Sequence, residues 1–112
     1  MKQIKAVIRP EKLQDVLQSL DRTGYDGIMI TEVEGHGRQK GITHQWRGEK
    51  YQLDLIPKVM LDLVVHDKDV KTITNAIINS ARMGEVGDGK IFIYNIEEVI
   101  RIRTGEVNDS AL

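Results

Sequence analysis

Cysteine is absent from the 112-residue chain, which excludes disulfides and thiolate metal sites. Aromatic residues make up only 4%. That is thin provision for a fold that reads RNA by stacking bases on a sheet. Neither sign of charge dominates, with 16 Lys and Arg against 17 Asp and Glu. No basic excess invites nucleic acid, and no polybasic run reads as a membrane anchor. No stretch approaches the roughly 20 apolar residues of a membrane span. The opening Met1-Lys2-Gln3-Ile4 does not resemble a secretory signal, so the expected location is the cytoplasm. His36, His44 and His66 are scattered, and no acidic pair has metal-ligand spacing. Hydrolysing a nucleotide requires a positioned water and charge neutralisation. The chain offers grip more clearly than chemistry, and a binding protein is expected rather than an enzyme.

What is present is a repeated plan. Ile4, Ala6 and Ile8 alternate within 2–9 and predict a strand. Pro10 and Glu11 suit the first turn of a helix. Leu13, Val16, Leu17 and Leu20 then form its apolar stripe. Residues 28–34 read as a second strand. The plan recurs with a strand at 59–65, a helix carrying Val70, Ile73, Ile77, Ile78 and Ala81, and a strand at 91–94. Two strand–helix–strand units predict one α+β domain over 1–112, a ferredoxin-like βαββαβ sandwich with both helices on one sheet face. The other face, with Val7, Met60, Val64 and either Phe92 or Tyr94, has no helix to cover it and predicts a subunit interface. The connection 36–56 follows neither period, and so long a loop reads as functional. After residue 96, Val99-Ile100-Arg101-Ile102-Arg103 alternates and predicts a short strand or extended arm, with 104–112 frayed.

Three clusters could hold phosphate. Gly84-Glu85-Val86-Gly87-Asp88-Gly89-Lys90 has P-loop spacing but fails as one. Ile91 stands where Ser or Thr would hold magnesium, and the order is helix–loop–strand. Its glycines still allow backbone N–H groups to converge on an anion, with Lys90 beside them. The plainer alternative is a helix cap and turn. Arg101 and Arg103, two apart on an extended segment, would share a face and fork around a phosphate; alternatively they are solvated charges on a strand edge. Gly35-His36-Gly37-Arg38-Gln39-Lys40-Gly41 adds two cations and an amide at the start of the long loop. A nucleic-acid module and an acylphosphatase-like enzyme are the competing classes on this fold, disfavoured by the scarce aromatics and the lack of a clear base.

Together these residues resemble the PII nitrogen-regulatory family. The resemblance spans essentially the whole chain. It rests on Gly37-Arg38-Gln39-Lys40-Gly41, Arg47-Gly48, Tyr51, Leu55-Ile56-Pro57-Lys58, Gly87-Asp88-Gly89-Lys90-Ile91-Phe92 and Arg101-Ile102-Arg103-Thr104-Gly105-Glu106. It implies a homotrimer that binds ATP or ADP in clefts between subunits. Gly37, Arg38, Gln39 and the turn Gly87, Asp88, Gly89 and Lys90 would hold the nucleotide. Met29 and Val64 would lie near the adenine, and Arg101 and Arg103 would reach the phosphates from a neighbouring subunit. With Mg-ATP bound, 2-oxoglutarate would join, held by Arg9, Gln39, Lys40, Gly41, Lys58 and Gly87, with Gln39 on the Mg2+. The ligands would then reshape loop 36–56, which docks on ammonium transporters or on enzymes and regulators of nitrogen metabolism. A membrane would be met only through such a transporter.

Several positions depart from the family pattern. Met29 and Met83 stand where hydroxyl residues are usual, and His36 where many members have phenylalanine. Tyr51 matches a tyrosine uridylylated in some members, while Glu49 stands where others have a phosphorylated serine. Arg47 matches an arginine that plugs transporter pores. Trp46, the single tryptophan, suits a partner anchor.

Overall fold

A computed structural model of the chain describes residues 1–36, 42–46, 49–53 and 55–112, with 42–46 and 49–53 as backbone. Six strands and two helices follow in order. They are β1 (Lys2–Ile8), α1 (Leu13–Asp21), β2 (Met29–His36), β3 (Ile42–Trp46), β4 (Glu49–Leu53), β5 (Leu55–Val65), α2 (Val70–Ala81) and β6 (Lys90–Asn95). The expected duplication shows in the backbone itself. Each long central strand leaves through an extended residue, Arg9 (φ −66, ψ 139) or His66 (φ −65, ψ 148). A single 3-10 turn follows, and then a helix beginning at Leu13 or Val70, both at φ −55, ψ −48. Pro10 fits the first of these turns because its fixed φ matches and its missing N–H has no partner to lose.

The main sheet has the order β2-β5-β1-β6, antiparallel throughout, which is the ferredoxin-like arrangement expected. β1 and β5 are central, and their alternation sorts the side chains. Ile4, Ala6, Ile8, Val59, Leu61, Leu63 and Val65 face the helices and are buried. They meet Val16 and Leu20 of α1 and Ile73, Ile77 and Ala81 of α2. Each fully buried branched side chain here contributes about 1.5–3 kcal/mol by leaving water. Ser19 donates to the Ala76 carbonyl at 3.2 Å, tying the two helices together.

Among the described residues, no helix covers the other sheet face. Phe92 and Tyr94 are each 44% exposed there, opposite Lys5 and Gln3 of β1, and the Lys5 ammonium lies 5.5 Å from the Tyr94 ring. Among the described residues, no helix is long and apolar enough to cross a membrane.

Two expectations need correction. The connection 36–56 is not without strand structure. β2 runs on to His36, β5 begins at Leu55, and β3 and β4 pair between them as a separate antiparallel hairpin, Ile42 opposite Leu53 and Trp46 opposite Glu49. Each of its strands is only five residues long, too short for a period to stand out in the sequence. The C-terminal arm is also not extended at Arg101 and Arg103, nor frayed beyond. It doubles back with Ile100 paired to Val107, the Gly105 amide donating to the Arg101 carbonyl at 2.7 Å, and a 3-10 turn at Asn108–Ala111. Gly105, at φ +72, permits the reversal.

Candidate functional site

The turn between α2 and β6 is built by its own aspartate. Asp88 Oδ2 accepts backbone N–H bonds from Met83 (3.0 Å), Gly84 (2.8 Å) and Glu85 (3.3 Å). The converging amides predicted for this segment are therefore real, but those of 83–85 already have an anion. Among the described residues, no acceptor faces the N–H of Gly87. Gly84, Gly87 and Gly89 take positive φ of 86°, 101° and 100°, which glycine adopts without steric cost. At Gly89 the requirement is twofold. A Cβ there would overlap the Val7 carbonyl oxygen and lie 2.8 Å from its carbon.

Two cations clamp this turn to the sheet. Arg9, just past β1, donates from Nε to Asp88 Oδ1 at 3.3 Å and from Nη2 to the Val86 carbonyl at 2.9 Å. Lys58, near the start of β5 and only 9% exposed, donates to the Gly87 carbonyl at 2.5 Å. Burial alone would push the Asp88 carboxyl up. The amides of Gly84 and Met83, the Arg9 guanidinium and the Glu85 amide outweigh it and hold the group below the usual carboxylate range. For Lys58, burial and then the neighbouring Arg9 push the ammonium below its ordinary value, partly offset by Glu11 and Asp88. The Arg9 guanidinium and the Lys58 ammonium repel each other across the turn.

These elements line one cleft of about 720 Å3. Gly35, His36, Ile56 and Lys58 come from the base of the long loop. Glu85, Val86, Gly87, Asp88, Gly89 and Lys90 come from the turn, and Val7 and Phe92 from the sheet. A concavity of this size, part apolar and with converging amides and cations, suits an anionic ligand the size of a nucleotide.

Of the residues singled out from the sequence, Arg9, Lys58, Gly87, Asp88, Gly89 and Lys90 are thus brought together. Met29 and Val64 are not in this cleft. They sit on the open sheet face, Met29 opposite Asp62, at the far end of β5 from Lys58. Val64 lies six residue steps along the strand from Lys58, about 20 Å. Arg101 and Arg103 are elsewhere too. Arg101 pairs with Glu106 at 3.2 Å and donates to the Leu112 carbonyl at 3.3 Å, while Arg103 is exposed in the reversal. Gly37, Arg38, Gln39, Lys40, Gly41 and Arg47 lie outside the described residues. Trp46 ends β3 and Tyr51 lies in β4, opposite His44. Among the described residues, no three His, Cys, Asp or Glu converge as a metal site.

Sequence reasoning missed the way Asp88 works. It was named as part of the nucleotide-holding turn, yet aspartate commonly caps nearby backbone amides, and that chemistry was the available signal. Gly35 and His36 belong to the third candidate cluster, whereas Ile56 and Phe92 were missed as cleft walls, because only the pairings of β5 with β2 and of β6 with β1 bring them there.

Comparison with known proteins identifies the family. The family model described as Nitrogen regulatory protein P-II matches residues 1–106. The chain is 51% identical over 112 residues to Nitrogen regulatory protein P-II 2 of Methanothermobacter thermautotrophicus, covering all of this chain and 97% of that one. It is 53% identical to Nitrogen regulatory protein P-II of Haemophilus influenzae and 49% to Nitrogen regulatory protein P-II 1 of Escherichia coli K12, in both cases over the whole of each chain. These relatives are named as regulatory proteins, not as enzymes. With its ferredoxin-like sheet and its match along nearly the whole sequence, the chain belongs to the nitrogen regulatory protein P-II family.

Proposed function

We propose that this protein is a cytoplasmic nitrogen-regulatory signal carrier. It binds ATP or ADP and, with Mg-ATP, 2-oxoglutarate, and converts their occupancy into a change in loop 36–56 that controls ammonium transporters or nitrogen-metabolism enzymes and regulators. The observation that carries this is the shared cleft, in which the glycine turn faces the base of the loop and the Lys58 ammonium lies between them. A ligand that draws Lys58 or Gly87 to itself acts on the strand that leads directly into the loop. It shifts the loop by as much as its affinity differs between the two arrangements.

The site is completed by neighbouring copies in a homotrimer. Two features support this: the uncovered sheet face with Phe92 and Tyr94, and the separation of Met29, Val64, Arg101 and Arg103 from the turn within one chain. Gln39 supplies the amide for the metal that accompanies the triphosphate. Titration calorimetry tests the reading: 2-oxoglutarate should bind measurably only with Mg-ATP present. Heats that Mg-ATP leaves unchanged would refute it, as would a monomer by sedimentation equilibrium.

A further inference from the structure

Asp88 does two things at once. One carboxylate oxygen gathers the amides of Met83, Gly84 and Glu85, and the other takes the Nε–H of Arg9. Arg9 also grips the Val86 carbonyl, and Lys58 the next one, at Gly87. Three successive residues of the turn are therefore held from the ends of β1 and β5. Lys58 is followed back along β5 by Ile56 and Leu55, which pair with Gly35 and His36 at the base of the loop. The turn and the loop base are joined through these contacts, and Asp88 is the member that binds both the turn's amides and the Arg9 guanidinium.

We propose that Asp88 is a positioning residue that couples the two halves of the cleft, ordering the phosphate-facing turn with one oxygen and aiming Arg9 with the other. This rests on the functional reading above, because the coupled ligands are the nucleotide and the dicarboxylate. Asp88 is not itself a phosphate contact. Its charge is already spent on four donors, and a second anion at the same atoms would be repelled. What it supplies is a link: the turn carrying the Gly87 N–H and the Arg9 fork share one carboxylate, so a ligand that fixes one of them also fixes the donors that the other ligand uses.

The test uses the full chain as its natural assembly, with Mg-ATP, ADP and 2-oxoglutarate as probes. Calorimetry gives the factor by which 2-oxoglutarate raises Mg-ATP affinity in the native protein, Asp88→Asn, Arg9→Lys and the double variant. Couplings of this kind are typically about 5–150-fold. Asp88→Asn should bring the factor to within about twofold of one, and Arg9→Lys, which keeps the charge but loses the guanidinium fork, should do the same. The double variant should add no further loss. A factor unchanged in either single variant overturns the proposal, as does a full further loss in the double. Should Asp88→Asn fail to fold, Arg9→Lys decides alone. If the native protein shows no 2-oxoglutarate effect, the functional reading has failed. The positioning role is then judged with ADP alone, where Asp88→Asn must lower affinity about tenfold and speed amide exchange at Met83 and Gly84. Unaltered ADP affinity with unaltered exchange overturns it.

Discussion

Replacing Gly89 by alanine isolates one steric contact from the general cost of a glycine conformation. Gly89 and Gly84 share nearly the same positive φ, 100° and 86°. Alanine at either site therefore carries a similar backbone penalty, about 1–2 kcal/mol. Their surroundings differ completely. A Cβ on Gly84 meets nothing within 4 Å, whereas one on Gly89 runs into the Val7 carbonyl, part of the backbone of a central strand. Val7 cannot step aside, because β1 is paired on both sides, to Met60 and to Lys90. Relief requires the turn to lift off β1, giving up the Val7–Lys90 end of the ladder and straining the Arg9 and Lys58 contacts. At about 1 kcal/mol for each lost hydrogen bond, the clash adds roughly 2–3 kcal/mol to the backbone term. Gly84→Ala should thus cost about 1–2 kcal/mol, and Gly89→Ala about 3–5 kcal/mol. Urea denaturation followed by circular dichroism, at one fixed protomer concentration, measures both. ADP affinity should fall far more in Gly89→Ala than in Gly84→Ala, since the lifted turn is a wall of the cleft. Equal destabilisation by the two substitutions would refute the steric reasoning.

Tyr25 donates its hydroxyl to Asp69 at 2.5 Å, and burial, more than that bond, raises its pKa above the ordinary 10.0. The neutral form is favoured by folding, so its contribution is complete below pH 10 and is lost as pH rises through the raised value; Tyr25→Phe should cost about 1–2 kcal/mol at pH 7 and flatten the alkaline fall in urea melts. Lys58 has the opposite sign: its lowered pKa makes the charged form a cost at neutral pH, relieved as pH rises through the folded value toward 10.5. Lys58→Met should therefore stay within about 1 kcal/mol of native stability while 2-oxoglutarate binding falls at least about tenfold; a large destabilisation with binding intact would contradict both claims. Tyr94→Asp places a charge on the uncovered sheet face, and light scattering should show a smaller assembly with the far-UV spectrum unchanged.

The sequence was legible where one face of an element is buried. The alternation in 2–9 and 59–65 and the stripes from Leu13 and Val70 mark the side that meets the core, and those elements form at those places. It was less legible in 36–56, where β3 and β4 are five residues each and Ile42, Trp46, Tyr51 and Leu53 give too few repeats to set a period. The arm after residue 96 misled because Ile100 and Ile102 alternate like a strand, yet Ile102 is fully exposed and Gly105 turns the chain back. The site divides the same way. The glycines announce a tight turn with converging amides. The clamp by Arg9 and Lys58 depends on strands far apart in sequence ending side by side, which no local pattern records.

With helices on one side only, β5 carries two independent records along its length. Val59, Leu61, Leu63 and Val65 answer to the helices, and Lys58, Met60, Asp62 and Val64 to the open face. Stepping a single polar substitution along this strand should therefore give a response with a period of two. Odd positions would report on whether a chain folds, and even positions on whether folded chains find each other and their ligands. One strand is enough to separate the two questions experimentally.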